Sequence, residues 1–131
     1  MYSDKILDEF KHPANVGEIK SPDGLGKVEN AVCGDIMHIY IKVGKNKKGE
    51  EIVRDIKFKT MGCVVAIANT SLLTKMVKGK TIEEAMKLTK NDLIKVLGKM
   101  PAIKYHCSIL ALDGLRKAIE DYKNKKGKES K

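Results

Sequence analysis

The sequence predicts an α+β fold in which helices cover one face of a small antiparallel sheet. Residues 37–43 and 52–59 alternate between apolar and polar side chains, which is typical of two half-buried strands paired as a hairpin. Residues 3–12 and the segments after residue 63 instead repeat apolar side chains three and four residues apart, as amphipathic helices do. A helix, then strands, then several helices is the element order of an α+β domain.

The strand segments each have a predicted core face. In the first, Met37, Ile39 and Ile41 point one way while His38 and Tyr40 point the other. In the second, the same alternation predicts that Ile52, Ile56 and Phe58 share the core face. These two faces together supply the apolar floor on which the helices are expected to pack.

Capping residues mark the ends of the helical segments. Ser3 is placed to cap the first helix and Pro13 to end it. Thr81 and Glu84 have the spacing of a capping box, and Asn91 is expected to cap the helix that follows it.

Length and composition predict one domain. The chain has 131 residues, of which 42% are hydrophobic, enough for a single core. We expect residues 1–123 to form the domain and the lysine-rich residues 124–131 to be a disordered tail. The charged N-terminus does not resemble a signal peptide, and no apolar run is long enough to cross a bilayer, so we expect a cytoplasmic protein without a membrane partner.

The chain is strongly basic, with a formal net charge of +9. Such a charge is compatible with nucleic-acid binding, but many of the lysines fall in the turn at 44–50 and in the tail, and aromatic residues make up only 5% of the chain. Nucleic acid is therefore an unlikely partner, and attraction to acidic protein surfaces explains the charge equally well.

All three cysteines fall at predicted element boundaries. Cys33 precedes the first clear strand, Cys63 lies where a strand gives way to a helix, and Cys107 begins the last helix. An odd number in a reducing compartment argues against a disulfide framework, which leaves metal binding, thiol chemistry or simple burial. A helix start favours the thiolate form at Cys63 and Cys107.

Two further side chains capable of binding metal accompany the cysteines. Asp35 follows Cys33 by two residues, so both can point to the same side of an extended segment. His106 is adjacent to Cys107. Asp35 can equally be a turn residue and His106 a solvated residue at a helix start, and the spacing lacks the close pairs of zinc fingers.

The motifs together resemble the U-type iron-sulfur cluster assembly scaffolds, meaning IscU and the N-terminal domain of NifU. The resemblance runs from "YSDKILDEFKHPANVG" through "CGD", "FKTMGC" and "AIA" to "HCSILALDGLRKAI" and so covers nearly the whole chain. It implies a three-stranded antiparallel sheet packed against helices, with a third strand near residues 24–32 that the periodicity does not indicate.

The resemblance also implies a site and a role. It makes Cys33, Asp35, Cys63, His106 and Cys107 the ligands of a transient [2Fe-2S] cluster or of its iron, and of zinc in the cluster-free form. It implies a scaffold rather than an enzyme, with Cys107 as acceptor of persulfide sulfur from a cysteine desulfurase and with apo iron-sulfur proteins as recipients. Hsp70 and J-protein chaperones are expected at a segment made of Met100, Pro101, Ala102, Ile103 and Lys104.

Two alternatives from other classes remain open. One is a zinc-dependent sulfurtransferase in which Cys107 attacks and His106 acts as base, although adjacent side chains seldom reach that geometry. The other is a structural zinc domain that binds a partner, which would lose its fold without metal.

Overall fold

The computed structural model describes residues 3–29, 35–98 and 106–129, and for residues 106–108 and 127–129 it describes the backbone only. Its elements, in chain order, are α1 (Asp4–Lys11), β1 (Gly24–Glu29), β2 (Ile36–Lys45), β3 (Glu51–Met61), α2 (Val64–Val77), α3 (Ile82–Met86), α4 (Lys90–Leu97) and α5 (His106–Glu129). The strands form an antiparallel sheet in the order β1-β2-β3. The predicted α+β class is confirmed, and so is the third strand.

The core lies between one face of the sheet and helices α2 and α5. Met37, Ile39 and Ile41 of β2 are fully buried, as the alternation predicts. The opposite face is open, since Leu25, His38 and Tyr40 line a surface concavity there. Among the residues that the structure describes, helices therefore cover one face of the sheet only.

The predicted core face of β3 is wrong at one position. Val53 is fully buried, whereas Ile52 is only half-buried. The cause is a β-bulge: Lys42 pairs with Asp55 but the next residue, Val43, pairs with Val53. The extra residue in β3 reverses the alternation beyond that point, which a simple period of two does not anticipate.

Helix α5 packs unusually close to β1 because both elements carry glycine at the crossing. A Cβ on Gly26 would overlap the carbonyl oxygen of Gly114, and a Cβ on Gly24 would overlap that of Ala118. Along β1 the chain passes from Gly24 to Gly26, whereas their contacts on α5 pass from Ala118 back to Gly114. The strand β1 and the helix α5 therefore run in opposite directions. The start of α5 therefore lies toward the end of β1.

Helix α1 is held on α2 by a buried carboxylate. Glu9 is 1% exposed, accepts a hydrogen bond from Ser71 Oγ at 2.7 Å and pairs with Lys75 Nζ at 2.9 Å and Lys5 Nζ at 3.3 Å. Burial alone would raise the pKa of Glu9, but the hydrogen bonds from Lys75, Ser71 and Lys5 outweigh it and the pKa is lowered. The contacts with Ser71 and Lys75 join α1 to α2.

The free edge of β3 is covered by two loops. Val16 forms a parallel bridge with Phe58, and Thr81 bridges Ile52 farther along the strand. Gly79 donates a backbone hydrogen bond to Val53 O at 2.8 Å. These contacts satisfy backbone groups that an edge strand would otherwise expose to pairing with another chain.

The structure confirms two of the predicted helix N-caps and corrects a third. Ser3 caps α1, and Thr81 and Glu84 form the predicted capping box of α3. The prediction for α4 is wrong: its N-cap is Thr89, whose hydroxyl accepts from Asp92 N while the Asp92 carboxylate accepts from Thr89 N at 2.9 Å. Asn91 instead lies inside the first turn of that helix.

Helix α5 continues to Glu129, so residues 124–129 are helical where the sequence predicts a disordered tail. Lysine and glutamate are good helix formers, and Lys125 pairs with Asp121 one turn earlier at 3.2 Å. Lys126 reaches Glu51 at 3.0 Å and so ties this end of the helix to β3. Across the residues that the structure describes, no helix is both long enough and apolar enough to cross a membrane.

Candidate metal centre

Three strand termini meet at one end of the sheet. Glu29, the last residue of β1, pairs with Ile36, the first of β2, and Ile36 in turn pairs with Met61, the last of β3. We call the region around Glu29, Ile36 and Met61 the sheet end. Chain segments that leave or enter these strands are brought together there.

Asp35 lies at the sheet end, directly before β2. The register of β2 and β3, continued by one residue, places it opposite Gly62. Its carboxyl carbon is 3.4 Å from the position that a Cβ on Gly62 would occupy, and the residue is 8% exposed. The missing side chain of Gly62 thus leaves room for the Asp35 carboxylate beside the backbone that leads to Cys63.

Thr60 strengthens the same junction. Its hydroxyl donates a hydrogen bond to the carbonyl oxygen of Ile36 at 2.6 Å. The end of β3 is therefore bonded to the residue that follows Asp35. Sequence reasoning did not identify Thr60 or Gly62 as part of the site. The feature of the sequence that indicates Gly62 is its place directly before the cysteine in "TMGC", because glycine is common where another group approaches the backbone closely.

Cys63 is the N-cap residue of α2. Its backbone is extended, with φ −83° and ψ 176°, and its carbonyl accepts from Ile67 N at 3.1 Å. The residue is half-buried, so its sulfur stands at the positive end of a 14-residue helix without being sealed in the core. Such a position stabilises the thiolate, which is the form that binds metal.

The start of α5 lies level with the sheet end. Gly114 crosses Gly26, and from this crossing the helix runs back to Cys107 while β1 runs on to Glu29. At about 1.5 Å per helical residue and about 3.3 Å per strand residue, both segments span roughly 10 Å. The backbone of His106 and Cys107 therefore begins α5 at the height of Ile36 and Met61.

The structure describes some of the five predicted ligands in full, some by their backbone only, and one not at all. Asp35 and Cys63 are brought to the same end of the sheet, and the backbone of His106 and Cys107 reaches that end as well. Cys33 and the chaperone segment at 100–104 lie outside the described residues. Within the described residues alone, no three His, Cys, Asp or Glu side chains gather as a metal site would require.

The described donors fit an iron-sulfur group chemically. A thiolate is a soft ligand suited to iron and zinc, and one carboxylate supplies a harder oxygen ligand that exchanges more readily. Beside them, Met61 is 73% exposed, so the sheet end presents an apolar side chain to solvent next to Cys63.

A family model matches almost the whole chain. The model for the NifU-like N terminal domain matches residues 1–129. The crystal structure of a nitrogen-fixing NifU-like protein (N-terminal) from Brucella abortus superposes with a TM-score of 0.71 over 94% of each chain, at 18% identity, which shows a shared fold.

Two relatives match nearly all of this chain and most of their own length. The iron-sulfur cluster assembly scaffold protein IscU 1 of Archaeoglobus fulgidus is 54% identical over 100% of this chain and 82% of its own. The IscU scaffold protein of Azotobacter vinelandii is 45% identical over 96% of this chain and 97% of its own. With a family match across almost every residue, this chain belongs to the family of NifU-like N-terminal domains.

Proposed function

We propose that this protein is a scaffold on which a [2Fe-2S] cluster is assembled and from which it is passed to apo-proteins. The observation that carries the proposal is the convergence of Asp35, the Gly62–Cys63 segment and the start of α5 at the sheet end. The relatives named as cluster assembly scaffolds support it. The cluster is cargo here, and the residues that hold it must also release it.

The proposed ligands are Cys33, Cys63 and Cys107, with Asp35 or His106 completing the set. Three thiolates hold iron strongly, while an oxygen or imidazole ligand weakens one corner and favours release. In the absence of iron the same residues are expected to bind zinc tetrahedrally. The cytoplasm is the proposed compartment, because thiolate ligands need a reducing environment.

A cysteine desulfurase is the proposed sulfur donor. The Cys107 thiolate attacks the terminal sulfur of the desulfurase persulfide, a new S–S bond forms on Cys107, and the desulfurase thiolate leaves. Conversion of that sulfur to sulfide consumes two electrons, which an external reductant must supply. A place at the start of α5 favours the attacking thiolate at Cys107. The protein itself is proposed to be a carrier and not an enzyme.

Anaerobic reconstitution tests the proposal. The protein is incubated with ferrous iron, a cysteine desulfurase, cysteine and a thiol reductant, and the visible spectrum is followed before and after addition of an apo-ferredoxin. We expect a sulfide-to-iron charge-transfer spectrum that moves to the ferredoxin. A protein that takes up iron or zinc but never develops this spectrum would fit a structural zinc domain instead.

A further inference from the structure

A groove with an apolar floor runs between α2, α3 and α4. It has a volume of about 750 Å³. Its floor is made by Met76, Leu88 and Val96, the last of which is 46% exposed. Ligand-binding clefts in proteins commonly have volumes in this range and are mostly apolar. We call it the α2–α4 groove.

Lysines surround the apolar floor. Lys75, Lys80, Lys87 and Lys95 line the α2–α4 groove, and all four are exposed. Lys75 is engaged by the buried Glu9. The other three form no ion pair with any described residue, so their ammonium groups are available to a ligand.

The two carboxylates in the groove are occupied by helix caps. Glu84 accepts from Thr81 N at 3.2 Å, and Asp92 accepts from Thr89 N at 2.9 Å. Each carboxylate thereby completes a capping box. The hydrogen bonds from Thr81, with a smaller contribution from the charges of Lys80 and Lys87, lower the pKa of Glu84, and those from Thr89, with Lys95, lower the pKa of Asp92. The lysines that line the groove still outnumber its carboxylates by four to two, so the groove favours an incoming anion.

The α2–α4 groove lies away from the proposed cluster site. Lys75 and Met76 belong to the last turns of α2, roughly 18 Å along the helix from Cys63. A ligand in the groove would therefore leave the sheet end accessible. Because α2 and α4 also contact α1, the groove walls are part of the packed fold.

We propose that the α2–α4 groove binds an acidic, amphipathic peptide segment of a partner protein. Apolar side chains of the segment would cover Met76, Leu88 and Val96, and its carboxylates would meet Lys80, Lys87 and Lys95. An apolar floor favours a peptide over nucleic acid, which binds through phosphate contacts and needs no such floor. The lysine ring selects acidic partners by charge complementarity.

Fluorescence anisotropy with a defined probe tests this proposal on the metal-free protein, so its outcome is independent of cluster assembly. The probe is a fluorescein-labelled peptide of alternating glutamate and leucine. Two matched peptides replace every glutamate by glutamine or every leucine by serine. We expect only the glutamate-leucine peptide to bind, since the groove requires both charge and apolar contact.

Variants localise the binding. The triple variant K80Q/K87Q/K95Q should weaken binding roughly tenfold, and Val96→Ser roughly fivefold. The matched control K45Q/K47Q/K48Q removes the same charge from exposed lysines at the β2–β3 turn and should leave binding unchanged. Thermal unfolding curves check that each variant is folded.

Three results would overturn the proposal. Equal losses in the two triple variants would show attraction to net charge alone. Equal binding of the glutamate-serine peptide would show that the apolar floor is not used. Binding of single-stranded DNA or of phosphatidylglycerol vesicles that depends on the groove lysines, without peptide binding, would assign the groove to another class of partner.

Discussion

The carboxyl carbon of Asp35 lies 3.4 Å from the point where a side chain on Gly62 would begin. Asp35 directly precedes β2 and Gly62 directly follows β3, and their approach brings an oxygen donor beside the backbone that leads to Cys63. Because oxygen is a harder ligand than thiolate and can be displaced by water, this carboxylate is the proposed point at which a cluster opens to an acceptor thiol.

The first prediction concerns that carboxylate. Asp35→Ala should hold a reconstituted [2Fe-2S] cluster longer than wild type and transfer it more slowly to apo-ferredoxin, because the exchangeable ligand is removed. The measurement is decay of the visible chromophore with and without acceptor. Asp55→Ala is the matched control, since Asp55 lies on the same sheet roughly 20 Å along β3 from Met61. If Asp35→Ala loses and donates its cluster as wild type does, Asp35 is only a turn residue.

The second prediction concerns the sulfur acceptor. Cys107→Ser should lose most persulfide labelling by a cysteine desulfurase, while Cys33→Ser and Cys63→Ser should keep it, because Cys107 is the proposed nucleophile. Alkylation of persulfides followed by mass spectrometry measures the labelled fraction. Equal losses in all three variants would indicate that sulfur transfer depends on an assembled metal site instead.

The third prediction concerns the crossing of β1 and α5. Gly26→Ala should destabilise the fold by about 3 kcal/mol or more, because the added methyl group would overlap the carbonyl of Gly114. Urea unfolding measures the loss. Gly44→Ala is the control, since the nearest neighbours of its methyl group would be side-chain atoms of Arg54, Cδ at 3.0 Å and Cβ at 3.3 Å, and not a backbone carbonyl. Equal stability of the two variants would contradict the close packing of α5 on β1.

The fourth prediction concerns pH. The lowered pKa of Glu9 means that folding favours its ionised form. This stabilisation is complete above the ordinary pKa of 4.5 and is lost as the pH falls through the lower folded-state pKa. Glu9→Gln should therefore cost about 2 kcal/mol at neutral pH, and the difference from wild type should shrink in acid.

Chemical denaturation at a series of pH values measures this difference. Glu18→Gln serves as the control, because Glu18 forms an exposed pair with Lys59 at 2.6 Å and exposed pairs stabilise little. A Glu9→Gln deficit that stays constant from neutral to acidic pH would show that Glu9 contributes through packing and not through its charge.

Local patterns in the sequence predicted much of the fold. The alternation at Met37, Ile39 and Ile41 identified the core face of β2, and the spacing of Thr81 and Glu84 identified a cap. Position 53 was missed because a bulge depends on pairing between strands, which no single segment encodes. The helical end of α5 was missed because its ion pair with Glu51 is made across the fold.

The candidate site was predictable in residue type but not in geometry. Cysteines at element boundaries, with the family resemblance, identified Cys63 and its proposed partners. The roles of Gly62 and Thr60 depend on the register of β2 and β3, which places Asp35 opposite Gly62 and lets Thr60 bond to Ile36. A strand register is a property of two segments together and so could not be taken from either alone.

The central claim is that the sheet end holds a sulfide-bridged iron pair, and Mössbauer spectroscopy of the anaerobically reconstituted protein tests it most directly. Wild type and Asp55→Ala should show the diamagnetic ferric doublets of a [2Fe-2S] cluster, and Cys63→Ser should lose most of that signal. Only mononuclear ferrous iron in the wild type, or an undiminished cluster signal in Cys63→Ser, would contradict the account.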